Sequence, residues 1–149
     1  MRASLAAACF LLCAASAHAA CNVSAGPLSF GPYDPLSAAG STTSGVITVS
    51  CNQAPPPIVT IQISPSAVSG GFFPRRMQRA GGSETLDYNL YLDPGVTVVW
   101  GDGTAGTATQ SKRVTKNKPW NVTIYGRMPG LQDVPPGNYG DSIGISIIF

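Results

Sequence analysis

The sequence predicts an all-β domain, a sandwich of about seven short strands. Three observations predict it. No window beyond the N-terminal leader spaces its apolar residues as a helix does. The chain carries 17 glycines and 13 prolines, scattered so that they cut it into short segments. Several of those segments alternate apolar and polar residues with period two, the pattern of a strand with one buried face.

The leader comes first. Met1-Arg2 supplies a short positive start, residues 5–15 are apolar, and Ala17-His18-Ala19 is an A-x-A cleavage pattern. These features predict a secretory signal peptide over residues 1–19 and a single domain over residues 20–149. Cleavage after Ala19 removes Arg2, Cys9, Cys13 and His18. The expected mature chain then has no histidine, two cysteines, and eight basic against seven acidic residues. That near-neutral balance gives no pull toward nucleic acid or an anionic membrane surface. No remaining stretch approaches the ~20 apolar residues of a membrane helix, so no membrane insertion is expected. Cys21 and Cys51 in an exported chain are expected to form a disulfide. It closes a loop of about 30 residues, worth roughly 3–4 kcal/mol by chain-entropy arithmetic. A reactive thiol would need a base or cation close by, and in the expected mature chain the nearest basic residue in sequence to either cysteine is Arg75.

A first strand is expected within residues 21–30, ended by Gly31-Pro32-Tyr33-Asp34-Pro35. Residues 37–44 read as a small polar loop, and 45–51 as the second strand. Pro55-Pro56-Pro57 bars a central strand, and residues 58–63 follow as the third. Residues 64–83 read as a long irregular segment whose Arg75, Arg76 and Arg79 are solvated. Residues 86–92 form the cleanest interior strand, ended by the turn Asp93-Pro94-Gly95. Residues 96–100 are a short strand turned by Gly101-Asp102-Gly103. Residues 104–118 read as a polar loop with a basic cluster at Lys112, Arg113, Lys116 and Lys118. Residues 120–125 alternate well, residues 128–137 loop, and the final strand runs from Tyr139 to Phe149.

Little in this composition carries catalysis. Without histidine, neither a Ser-His-Asp nor a Cys-His arrangement forms. Zinc and most transition-metal sites lose their commonest ligand. No phosphate loop or dinucleotide motif is present, and no cofactor is expected. The acids Asp34, Asp93 and Asp102 fall in turn-like sequence, so an enzyme is not expected. A carboxylate pair involving Glu84 or Asp87 is the form a hydrolase would take. Trp100 and Trp120 are expected in the core, with sugar stacking as the competing reading. Asn22-Val23-Ser24 and Asn121-Val122-Thr123 match the N-glycosylation acceptor pattern.

The last stretch is unusual because the chain stops in its most apolar sequence. Odd positions from Tyr139 read Tyr, Asp, Ile, Ile, Ile, Phe, and something must cover that face. Either the domain supplies both neighbouring strands or a partner does. Asp141 lies on the same face, so it sits at the wet end of the strand or is paired. Arg127, at the end of the preceding strand, is the expected partner in a rim ion pair worth under ~1 kcal/mol.

Cys21-Asn22-Val23 followed by Phe30-Gly31-Pro32-Tyr33-Asp34-Pro35 resembles the opening of spore coat protein U domains. So do Arg76-Met77, Leu86-Asp87-Tyr88-Asn89-Leu90-Tyr91, Trp100-Gly101-Asp102-Gly103, Tyr125-Gly126-Arg127 and Gly137-Asn138-Tyr139-Gly140-Asp141-Ser142. The pieces stand in family order and cover almost the whole expected mature chain. Each is weak alone, and the ordered set is specific. The resemblance implies an immunoglobulin-like β-sandwich, incomplete until a donated strand completes it. It implies a subunit of the archaic, Csu-type chaperone–usher pathway of Gram-negative bacteria. The partners would be a periplasmic pilus chaperone, an outer-membrane usher and a neighbouring pilin subunit that donates a strand. The side chains lining the partner-strand groove would be Ile143, Ile145, Ile147 and Phe149.

One feature departs from the polymerising members, which carry an alternating donor segment before the first cysteine. With cleavage after Ala19, Cys21 follows almost at once, so the subunit is expected to accept a strand and donate none. That suits a tip, minor or terminating subunit of a surface pilus or coat, contributing to adhesion or biofilm formation. The expected route is export to the periplasm and then to the cell surface. The competing reading is a self-complete secreted sandwich that binds carbohydrate through Trp100 and Trp120.

Overall fold

The computed structural model describes residues 21–149, so the expected signal peptide over residues 1–19 lies outside the described residues. Nine strands form two antiparallel sheets, and there is no helix among the described residues. The larger sheet is built from β1 (Cys21–Ala25), β2 (Ser41–Cys51), β7 (Trp120–Met128), β5 (Thr85–Tyr91), β4 (Arg75–Arg79) and β8 (Tyr139–Gly140), in that spatial order. The smaller has β3 (Ile58–Ile63) at its centre, between β6 (Gln110–Arg113) and β9 (Ile145–Ile148). The fold is the expected all-β sandwich.

Alternation does the packing. In β2, Ile47, Val49 and Cys51 point inward; in β7, Trp120, Val122, Ile124 and Met128 do. Val59, Ile61 and Ile63 of β3 meet them from the other sheet, each fully buried. Full burial of such a side chain is worth about 1.5–3 kcal/mol, and these facing rows hold the layers together. Gly126 breaks the inward row of β7 for a reason. A Cβ there would meet the Phe30 ring at 2.8 Å, so the missing side chain lets Phe30 pack across the sheet. Phe30 in turn meets Tyr88 edge-on, with ring centroids 5.8 Å apart.

The disulfide between Cys21 and Cys51 is formed, and these residues face each other directly across the β1–β2 ladder. β1 pairs with no other strand, so the bond pins an edge strand at one end.

Several boundaries differ from the sequence expectation. Residues 64–83 are not a solvated loop: they contain β4, and Arg75 is fully buried. Its Nη1 donates to Asn89 Oδ1 at 2.7 Å and its Nη2 to the Trp100 carbonyl at 2.7 Å. Nη2 and Nε both reach the Ser64 carbonyl, at 2.9 and 3.3 Å. The Phe72 ring covers the guanidinium at 5.1 Å. Five donors in a rigid fork make arginine the cation that neutral oxygens can satisfy in an interior. Burial pulls its pKa down to about 10, which still leaves it charged at neutral pH. The polar segment 104–118 likewise holds a strand, β6. Residues 96–100 make only isolated bridges, Tyr91 to Val99 and Trp100 to Ala108. The final segment is two strands rather than one.

Candidate functional site: an open cleft beside the C-terminal strand

The C-terminal segment starts in one sheet and ends in the other. Tyr139 and Gly140 pair with Arg79 and Gln78 of β4 in the larger sheet. Ile145, Ser146, Ile147 and Ile148 pair with Ile63, Gln62, Ile61 and Thr60 of β3 in the smaller one. The crossing between them is tied at both ends. Tyr88 donates its hydroxyl proton to Asp141 Oδ2 at 2.8 Å, and the Ser142 amide donates to Asp141 Oδ1 at 2.8 Å. Further along, the Ser64 amide donates to the Gly144 carbonyl and the Gly144 amide to Ser64 Oγ, each at 2.8 Å.

Opposite this crossing, the chain leaves β1 at Gly26-Pro27, and Leu28 and Phe30 fold back toward the core. Gly45 makes room there, since a Cβ would lie 2.9 Å from Leu28 Cδ1. Between the two walls lies an open cleft of about 320 Å³. Leu28, Phe30 and Val46 line one side, Ile143 and Ile145 the other, and Ile47, Leu90 and Ile124 line its depth. It adjoins a second hollow of about 690 Å³ that shares Leu28, Phe30, Met77 and Tyr139 with it. The walls are apolar apart from the Asp141 carboxylate and its Tyr88 partner, which suits the face of an extended peptide.

The edges of the smaller sheet are unlike. β6 carries Ser111, Lys112 and Arg113, all exposed. Charged residues on an edge strand discourage another strand from pairing there. β9 carries Ile145, Ile147 and Ile148 and no charge, and it too is an edge. Strand addition is disfavoured on one side and left open on the other.

Residues 6–146 match the family described as Spore Coat Protein U domain. The chain belongs to the spore coat protein U domain family. Protein U of Myxococcus xanthus is 33% identical over 147 residues, covering 91% of this chain and 80% of that protein. A chain of the solved CsuC–CsuE chaperone–tip adhesion subunit pre-assembly complex, from the archaic chaperone–usher Csu pili of Acinetobacter baumannii, superposes with a TM-score of 0.63. It is 14% identical, and the match covers 87% of this chain but 40% of that one, so the likeness is one of fold.

Within this spore coat U domain, Ile143 and Ile145 stand in the cleft wall and Ile147 packs against the core. Phe149 stands apart, 55% exposed at the chain end. The expected Asp141–Arg127 ion pair is absent. The alternation of β7 sends Arg127 to the solvent face, while Asp141 turns inward to Tyr88. Burial is the main reason the Tyr88 phenol is pushed well above its usual range, and the Asp141 hydrogen bond adds to it.

The sugar-stacking alternative loses its residues. Trp100 is fully buried with its Nε1 donating to the Ile61 carbonyl, and Trp120 is 7% exposed, with Lys112 6.0 Å from its ring. Neither offers a ring face to a ligand. Glu84 and Asp87 each hold an arginine, Arg79 at 2.8 Å and Arg76 at 2.9 Å, rather than facing each other across a cleft. Among the described residues no cluster of histidine, cysteine and acidic side chains has the makings of a metal site. No helix of the described residues is long and apolar enough to cross a membrane. Sequence reasoning missed the opposite wall, where Leu28, Phe30, Met77 and Tyr88 gather. The alternation of Leu28 and Phe30 was visible, but it read as part of the first strand.

Proposed function

We propose that this spore coat U domain is an exported subunit of a chaperone–usher surface pilus or coat, and that it accepts an added β-strand along the free edge of β9. The observation that carries this reading is the apolar cleft beside an uncharged edge strand, on a sheet whose other edge is charged. Family membership supports it, as does the shared fold with a chain from a chaperone–subunit complex. Backbone hydrogen bonds to the β9 edge would supply affinity, and alternate side chains would fill the cleft against Ile143, Ile145 and Ile147. The strand would come first from a periplasmic chaperone and then, at an outer-membrane usher, from a neighbouring subunit. Adhesion or biofilm formation would be the output. A tip, minor or terminating place in the fibre is part of the same proposal.

Ile145→Asp tests the reading, because it puts a charge on the β9 face that the strand would cover. Co-expressed with its chaperone in the periplasm, the unsubstituted chain should co-purify as a one-to-one complex. Ile145→Asp should lose at least about tenfold of that recovery, the scale of one desolvated charge. Surface substitution of Lys112 by Glu should leave it unchanged. Undiminished complex with Ile145→Asp would remove β9 from the interface.

A further inference from the structure

The chemistry of the cleft narrows which strand it takes, an inference that rests on the strand-accepting reading above. Among the described residues that line the cleft, Asp141 alone is charged. Tyr88 and the Ser142 amide each donate one hydrogen bond to it. A carboxylate offers about four accepting positions, so roughly half its capacity is unused by described residues. The arginines of the neighbouring strands are committed elsewhere. Arg75 feels its charge but points its nitrogens at Asn89, Ser64 and Trp100. Arg76 and Arg79 hold Asp87 and Glu84, and Arg127 is on the solvent face.

A strand that fills the cleft strips water from this carboxylate. A desolvated carboxylate with no cation hydrogen-bonded to it and with spare accepting positions is costly, whereas a charge-assisted hydrogen bond in the same place is among the stronger polar contacts. We infer that the added strand presents a lysine or arginine at the inward position facing Asp141, with apolar side chains at its other inward positions.

The probe is a twelve-residue peptide alternating valine inward and threonine outward, with glycine-serine ends. Each inward valine is replaced in turn by lysine, leucine or glutamate. Binding to the purified full chain is read by fluorescence anisotropy at low and high sodium chloride. One lysine position should bind about tenfold tighter than its leucine counterpart, the scale of one charge-assisted hydrogen bond. That advantage should shrink with salt, and glutamate at the same position should bind worst. Asp141→Asn should abolish the lysine advantage while keeping affinity for the all-valine peptide. Tyr88→Phe keeps the carboxylate and should keep the advantage, which separates a lost charge from a disturbed cleft. If Asp141→Asn does not fold, the salt response and the glutamate penalty in the unsubstituted chain decide alone. The all-valine peptide matching every lysine peptide, or a lysine advantage that survives Asp141→Asn, would overturn the inference and leave strand acceptance standing. Failure of all peptides to bind would overturn both.

Discussion

Arg75 sits in the interior with no carboxylate against it, held by the Ser64 and Trp100 carbonyls and the Asn89 amide. Ser64 follows β3 in one sheet and Asn89 belongs to β5 in the other, so the guanidinium bolts the two layers together. Arg75→Met removes a buried cation and its desolvation cost, but it leaves the Ser64 and Trp100 carbonyls without this donor and Asn89 Oδ1 with the Leu90 amide alone. Each unsatisfied group costs about 1–3 kcal/mol, so a net loss of roughly 2–4 kcal/mol is expected in urea denaturation. Arg75→Lys should recover less than half, because an ammonium cannot serve three oxygens in a planar fork. Full recovery by lysine would mean that charge alone matters. None of this was legible in the sequence. Three arginines amid Gly, Ser and Pro read as a wet loop, and only packing brings Ser64, Asn89 and Trp100 around one of them. Asp141 is the same lesson in miniature: its face was readable, its partner Tyr88 was not.

Among the elements, the third, interior and penultimate strands stood out because β3, β5 and β7 alternate and face a core. β4 and β6 did not, since Arg-Arg-Met-Gln-Arg and Gln-Ser-Lys-Arg carry a single apolar residue, Met77, between them and are held by ladder hydrogen bonds to β5 and β3. Strand propensity reports an apolar, half-buried pleated surface, whereas β4 buries an arginine and β6 stays largely exposed. The C-terminal segment read as one strand because alternation persists through Asp141 and Ile143. The structure splits it because residues 141–144 cross between sheets without losing the inward phase. β1 pairs with β2 alone, and the disulfide ties it there. Cys21→Ser with Cys51→Ser should lower stability by about 2–4 kcal/mol, measured by chemical denaturation. Hydrogen exchange should quicken in residues 21–25 far more than in β5 or β7. A uniform loss of protection would show that the bond serves the whole sandwich rather than its edge.

At the scale of the molecule, three carboxylates at turns and loops share a direction. Hydrogen bonds hold each below its usual range: from Arg79 for Glu84, from the Val98 amide first for Asp93, and from Thr104 for Asp102. A carboxylate whose folded pKa is depressed stabilises the fold above its unfolded pKa, and that contribution is lost as pH falls through the folded value. The denaturation midpoint should therefore hold near neutral pH and fall as pH drops from about 5 toward 3. Asp93→Asn should flatten that fall; an unchanged slope would exclude Asp93 as a contributor. What the sequence determined by itself was local: the all-β class, the turns, the cysteine pair and the ordered motifs of the family. Alternation and turn chemistry are read within a few residues, so they survive without coordinates. What only the tertiary structure decided was the split of the last segment between sheets, the burial of Arg75, and the cleft with its one carboxylate. Those depend on residues far apart in the chain, such as Tyr88 with Asp141 and Leu28 with Ile143, which become neighbours only when the sheets pack.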